Sequence, residues 1–334
     1  MALGMNTPEM IIAITLAGNS MRKETANKIL IGVVVIIFGG VVNFSSAQEI
    51  ALAFDKALSR SSALDGMARA KMLVRNLERV DVHQSMFLIH TKDITDNTVG
   101  RLMFYDDAGQ LLVNAGAYYS LLSRIDSYSF AVDILKANSA LSEYVSYHQH
   151  VYFPYLYEGG DELALKQVKN FLAERGYQPT YTTYQAHDDY LDLLYQKRIA
   201  DNRPVDIARV EKVYVKMLVS DIVAYNAEAQ MLLGYSPRQV ILLHENDLAA
   251  YCIVALVDAL NAKGFKIISP EKIFSDPVAN PYLLGGYSGV GYLKSINGIP
   301  DSQRNNLYVL TAAEKQKIHG YLNEQGLGEL VPTN

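Results

Sequence analysis

Asp55 closes the apolar run "EIALAFD" and His244 closes "QVILLH", each at a point where a strand hands its last side chain to a loop. A carboxylate or an imidazole at a strand end can take up and return a proton, which is acid/base chemistry. Lys56 follows Asp55 directly, so an ammonium stands where a second carboxylate might be expected. Asp188 and Asp189 follow His187 in "AHDDYLD", and His148 and His150 form "HQH". In extended chain, residues two apart share a face and could offer two metal ligands, so "HQH" reads either as a ligand pair or as solvated histidines in a polar loop. His187 reads either as a ligand or as a surface residue. His83, His90 and His319 have no acidic or histidine neighbour at a useful spacing, and the sequence assigns them no role.

These residues need rigid elements to hold them. Short apolar runs at 49–54, 85–89, 111–114, 180–183, 240–243 and 265–268 predict strands, and helical spacing fills the intervals, as with Met67, Ala70, Leu73, Val74 and Leu77. One helix starts near Asp161, buries Leu165, Val168, Phe171 and Leu172, and stops at Gly176; another runs from Asp206 to Gly234, with Pro237 just beyond. Strands alternating with helices predict an α/β architecture. No repeat or linker divides the chain after residue 50, which predicts one domain. Five glycines between Gly285 and Gly298 predict a loop wrapping that domain, and a last helix is expected over 312–325.

The chain has 334 residues, half of them hydrophobic, enough for a sizeable core. Its net charge of -5, and the absence of any Lys/Arg run, argue against nucleic acid as a partner. Cys252 is the only cysteine, which leaves no intrachain disulfide, and "AAYCIVALVDAL" places it in a helix core. Arg22, Lys23 and Lys28 precede an apolar run from Ile29 to Val42, followed by Ser45 and Ala47. That order predicts a secretory signal cleaved after Ala47, and hence an exported protein, periplasmic or extracellular. The competing reading is an uncleaved anchor, the only contact with a membrane the sequence offers, although the run is shorter than the ~20 residues of a spanning helix. Met21 opens a better-formed signal than Met1. The expected organisation is an extension and signal over 1–47, the main α/β domain over 48–281, and a wrapping loop with terminal helix over 282–334.

In order along the chain, "AFDK", "GQLLVNAGAYYS", "YFPYLYEGG", "AHDDYLD" and "ILLHENDLAA" resemble the NodB-type polysaccharide deacetylases, a carbohydrate esterase family. "LAERGYQPTYTTY" and "ALNAKGFKIISPEKIFSDP" resemble its connecting segments, so the likeness runs from about Glu49 to Pro281. The resemblance implies a distorted (β/α) barrel of seven or eight strands, with zinc or another divalent metal at the C-terminal ends of the strands. It makes Asp55 the general base, His244 the general acid and Asp188 the fourth-motif aspartate. It also implies metal ligands at three positions, where this chain has Lys56, Ala115 and Tyr119 instead. Tyr152 stands at the position of the arginine that orients the base, and Asp189 at that of a tryptophan. Asn114 and Pro154 match the pattern.

Alanine offers no donor and a neutral tyrosine is a poor one, so no cofactor is expected. Lys56 has two readings: its ammonium takes the place of the metal and pairs with Asp55 and Asp188, or it points outward from the strand end. Tyr118, Tyr119, Tyr152, Tyr155, Tyr157, Tyr184 and Tyr190 would rim one mouth of the barrel, where Asn114, Tyr119, Tyr152 and Tyr155 are candidates to bind a sugar. For Tyr119 and Tyr152 the other reading is packing into vacated volume. The expected function is a deacetylase homologue that has lost metal-dependent activity and binds a glycan, peptidoglycan or an envelope partner. The alternative is an active N- or O-deacetylase using Asp55 and His244 with an atypical metal or none.

Overall fold

Eight strands, all paired in parallel, make one sheet in the computed structural model, which describes residues 48–60, 62–118, 126–152, 162–180, 182–274 and 310–331. The strands are β1 (Gln48–Asp55), β2 (Met86–Ile89), β3 (Leu111–Asn114), β4 (Tyr147–Tyr152), β5 (Gln178–Thr180), β6 (Tyr184–Gln185), β7 (Gln239–His244) and β8 (Phe265–Ile267). The helices are α1 (Gly66–Glu78), α2 (Val99–Asp107), α3 (Ser127–Leu141), α4 (Glu162–Ala173), α5 (Asp188–Ala200), α6 (Ile207–Leu233), α7 (Asp247–Ala262) and α8 (Ala312–Glu324). The proposed signal and the glycine-rich segment lie outside the described residues. No helix among the described residues is long and apolar enough to cross a membrane.

The sheet runs β5-β4-β3-β2-β1-β7-β6, with β8 paired to the start of β1. Its two edge strands, β5 and β6, are consecutive in the chain: Thr180 ends one and Tyr184 begins the other. Four residues span at most about 14 Å, whereas seven flat strands at about 4.8 Å spacing would separate the edges by about 29 Å. The sheet must therefore curl on itself, and the result is a distorted (β/α) barrel whose seam lies between β5 and β6.

The pleat sorts the side chains. Ala51, Ala53, Met86, Leu88, Leu111, Val113, Val240 and Leu242 fill the barrel interior together with Ala115 and Tyr152. The alternate residues Ile50, Leu52, Phe54, Phe87, Leu112, Ile241 and Leu243 pack outward with the helices. On that outer side the Phe87 ring stacks between Phe54 and Tyr105, with centroids 5.2 and 4.1 Å away. The interior is narrow, and the two alanines of β1 are fully buried in it. Ala53→Leu is expected to overpack this layer and cost about 1–3 kcal/mol in a urea melt; an unchanged midpoint would mean that the interior has room to spare.

Two sequence expectations need correction. The polar stretch before "VYFPYLYEGG" is not a loop: residues 147–152 are strand β4, hidden because its first residues are exposed and Gln149 takes φ 54° where the register with β3 shifts. Of the strand expected over 180–183, only Thr180 is in a strand, as the last residue of β5; Thr182 and Thr183 precede β6, which begins at Tyr184 on the opposite edge of the sheet. The helix predicted from Asp206 is present: Asp206 accepts from the amides of Ala208 and Arg209, and Gly234 ends it at φ 77°, a left-handed conformation that glycine adopts freely.

Candidate functional site

The pleat that fills the interior with Ala51, Ala53, Met86, Leu88, Val240 and Leu242 continues to the C-terminal ends of the strands. There it turns Asp55 and His244 to the same side, and the two are register partners on neighbouring strands. His90, two residues beyond Leu88, joins them: its Nε2 is 3.4 Å from Asp55 Oδ1. Glu245 N donates to the Asp55 carbonyl at 2.8 Å and closes the β1–β7 pairing.

The described part of the mouth holds two aspartate–histidine pairs. In the first, Asp188 opens α5 and its Oδ1 lies 2.7 Å from His244 Nδ1, while its Oδ2 accepts from His244 N and Asn246 Nδ2, both at 3.1 Å. Burial pulls the His244 pKa down, but Asp188 and then Asp189 more than offset it and hold the imidazole above its usual value. In the second pair, burial pushes the Asp55 carboxyl up, and His90, His244 and the Lys56 amide together bring it below its ordinary value. The two groups are thus shifted apart, the imidazole toward its protonated form and the carboxylate toward its ionised form.

Lys56 is half exposed at the end of β1 and pairs with neither Asp55 nor Asp188. Its Nζ reaches Asp189 Oδ2 at 3.5 Å, with nearly half of each side chain exposed, so its partner is Asp189 rather than Asp55 or Asp188. Its backbone has φ 55°, unusual for a residue with a side chain, and its amide donates to Asp55 Oδ1 at 2.7 Å. Asp189 Oδ2 is also 3.8 Å from His244 Nε2, which places this carboxylate between the ammonium and the imidazole. A cavity of about 350 Å³ opens here, lined by Lys56, Ser59, Asp189, Asp192, Gln196 and His244 among others. Ser59 also lines a neighbouring cavity of about 840 Å³ between the β1–α1 and β2–α2 loops.

Behind the mouth lies a buried ionic layer. Arg69 Nε and Nη2 donate to the two oxygens of Glu245 at 3.0 and 2.9 Å, Tyr105 donates to Glu245 Oε1 at 3.0 Å, and Arg69 Nη1 reaches Asp247 Oδ1 at 3.4 Å. Burial pushes the Glu245 carboxyl up and Arg69 only partly draws it back, while burial of Arg69 is more than offset by Glu245 and Asp247. The two-point geometry marks the pair as ionised.

Other expected site residues sit elsewhere. Asn114 turns to the opposite side of β3 from Ala115 and is fully buried; its amide donates to Ile134 O and its oxygen accepts from Gly116 N. It braces the loop and is not positioned to touch a sugar. Tyr152 lies in the barrel interior, 3% exposed, with its hydroxyl 3.4 Å from Thr182 Oγ1, so it packs at the seam instead of rimming the mouth. Tyr119 and Tyr155 lie outside the described residues. The bulge at Gln149 separates "HQH": His148 is exposed, while His150 is buried and stacks on Phe274 at 4.0 Å, its pKa driven down to about 4 by burial and then by His148. His187 precedes α5 and lies 3.8 Å from Glu314. His90 was missed because its partner comes from another strand. The only signal in the sequence is that it extends the Met86–Leu88 alternation.

Asp188, Asp189 and His244 bring potential ligand atoms within 4.8 Å of one another. They do not fit a metal as arranged, because both Asp188 oxygens already accept hydrogen bonds and Lys56 places an ammonium beside Asp189. Ala115, at an expected ligand position, is buried with nothing to donate.

No family model and no curated protein matches the chain. Among solved structures it is similar to a family 4 carbohydrate esterase from Streptomyces lividans in complex with acetate, with 13% identity, 66% of this chain and 91% of that one covered, and a TM-score of 0.42. It is similar to a CE4 family pseudoenzyme from Bacillus anthracis, with 11% identity, 69% and 66% covered, and a TM-score of 0.45. It is also similar to a mutant of the peptidoglycan deacetylase PdaC from Bacillus subtilis, with 14% identity, 78% and 95% covered, and a TM-score of 0.43.

Proposed function

We propose that this protein is an exported relative of the polysaccharide deacetylases that binds a glycan, such as peptidoglycan, at the mouth of its barrel without metal-dependent deacetylation. The observation that carries the reading is the arrangement around Asp189. An ammonium from Lys56 and the imidazole of His244 flank it, while Asp188 has both oxygens engaged. A divalent ion would have to displace these contacts and would find Ala115 at one of its expected ligand positions. The 350 Å³ cavity presents an ammonium, carboxylates, Ser59 and Gln196 among its lining residues, groups able to hydrogen-bond the hydroxyls of a sugar.

The test is elemental mass spectrometry of protein purified without chelator and then challenged with excess zinc, cobalt or nickel, alongside pull-down on purified peptidoglycan. The expected result is metal at background and retention on the glycan. Stoichiometric metal that survives dialysis would overturn the reading. A second reading is favoured by the 2.7 Å contact between His244 and Asp188: a metal-free hydrolase with Asp55 as base and His244 as acid. On that reading acetate is released from acetylated glycan and His244→Gln lowers the rate by roughly 10²-fold or more. No acetate above a blank rules it out.

A further inference from the structure

We infer that His90 is the positioning residue of Asp55: delivered from the end of β2, it holds the carboxylate turned into the mouth through Nε2, 3.4 Å from Oδ1. The position that the family resemblance gives to a base-orienting arginine is occupied by Tyr152, whose ring fills the barrel interior at the seam.

The geometry around His90 is that of a fixed support. The residue is 4% exposed. Ala115 N donates to Ile89 O at 3.0 Å, Thr91 N to Gly116 O at 3.0 Å and Lys92 N to Ala117 O at 2.9 Å, so the chain on both sides of His90 is tied to the loop after β3. That loop is pinned in turn by Asp133 of α3, which accepts from the amides of Ala117 and Tyr118 at 3.1 and 3.2 Å. Gly116, at φ 89°, lets the loop pass so close that a Cβ there would sit 2.6 Å from Asp133 Oδ2.

The charged groups around the pair come from several elements. Asp55 from β1 and Asp133 from α3 bear on His90 electrostatically, while His244 from β7 and the Lys56 amide bear on Asp55. His90 is the foremost of the groups that offset the burial of Asp55. With His90 present, the mouth becomes a line of two pairs, His90–Asp55 and His244–Asp188, with Asp55 and His244 side by side at its centre. The inference concerns the protonation of Asp55, and it holds whether the mouth only binds a ligand or also turns one over.

Nuclear magnetic resonance tests it on the full chain. The side-chain 13C signal of Asp55 is titrated in the wild type, in His90→Phe and in His90→Gln, whose amide restores a donor near the Nε2 position. The expected result is about a tenfold rise in the proton affinity of Asp55 in His90→Phe, with most of it reversed in His90→Gln. The same titration midpoint in folded His90→Phe as in the wild type would overturn the proposal, because a purely structural role leaves that midpoint unmoved. If His90→Phe does not fold, the wild-type 15N spectrum decides. A protonated Nε2 supports the proposal, and an Nε2 without a proton overturns it.

Discussion

Glu245→Ala is expected to destabilise the fold by about 3–5 kcal/mol, because it leaves the Arg69 guanidinium buried without its two-point partner. Neither side chain has solvent to turn to: Arg69 and Glu245 are 2% and 0% exposed. Removing the anion also strands the Tyr105 hydroxyl, which donates to Glu245 from within the aromatic stack on the outer face of the sheet. Chemical denaturation of Glu245→Ala, Arg69→Met and the double variant would measure this. The double variant should lose less than the sum of the single ones, since the second change removes a charge that the first left uncompensated. A loss below about 1 kcal/mol in Glu245→Ala would show that water reaches this layer. The consequence for function is positional, because Glu245 directly follows His244 and the ionic layer sets where β7 ends.

Asp192→Asn is expected to do the reverse and stabilise the protein at alkaline pH. Burial, followed by the Asp247 carboxylate, lifts the Asp192 carboxyl from its ordinary 3.8 to about 7. A group whose pKa is raised on folding favours the folded state most below its unfolded pKa and loses that contribution as pH rises through the folded value. Asp192 therefore erodes stability between about pH 4 and 7 and leaves a standing cost above that. The full shift corresponds to about 4 kcal/mol at most, and screening by nearby solvent reduces the expected gain to about 1–2 kcal/mol at pH 8. The asparagine oxygen can still accept from Leu248 N and Gln196 Nε2, as Oδ1 does now. His244, whose pKa is also raised, adds a loss of its own above about pH 6.5 that the variant retains. Melting temperatures at pH 5 and pH 8 test the prediction: the pH-dependent loss should shrink in the variant. An unchanged difference would mean that Asp192 ionises freely. A carboxyl kept near neutrality in the cavity that contains His244 is the kind of cost found at functional sites.

The two strands carrying Asp55 and His244 were legible because each is an uninterrupted apolar run, and a parallel strand buried on both faces needs nothing else to declare itself. Helix α6 was legible from its caps, Asp206 and Gly234, which act within a few residues of chain. Strand β4 was not, since its exposed histidine and bulged Gln149 break the period of two on which a strand assignment rests. The split between β5 and β6 was not legible either, because which edge a three-residue strand joins depends on closure of the whole sheet.

The site divides in the same way. The chain by itself determined which chemical groups are present, Asp55, Asp188, His244, Lys56 and Ala115 among them, and the alternating elements of an α/β architecture, whereas the barrel and the ligand positions at Lys56 and Ala115 were expected from the family resemblance. The groups and the alternation are properties of residue type and local spacing. Only the tertiary structure decided the pairings: His90 with Asp55, Lys56 with Asp189, and Tyr152 and Asn114 turned away from the mouth. Those depend on strand register and barrel closure, which bring together side chains from distant parts of the chain, and a shift of one residue along a strand would send each of them to the opposite face.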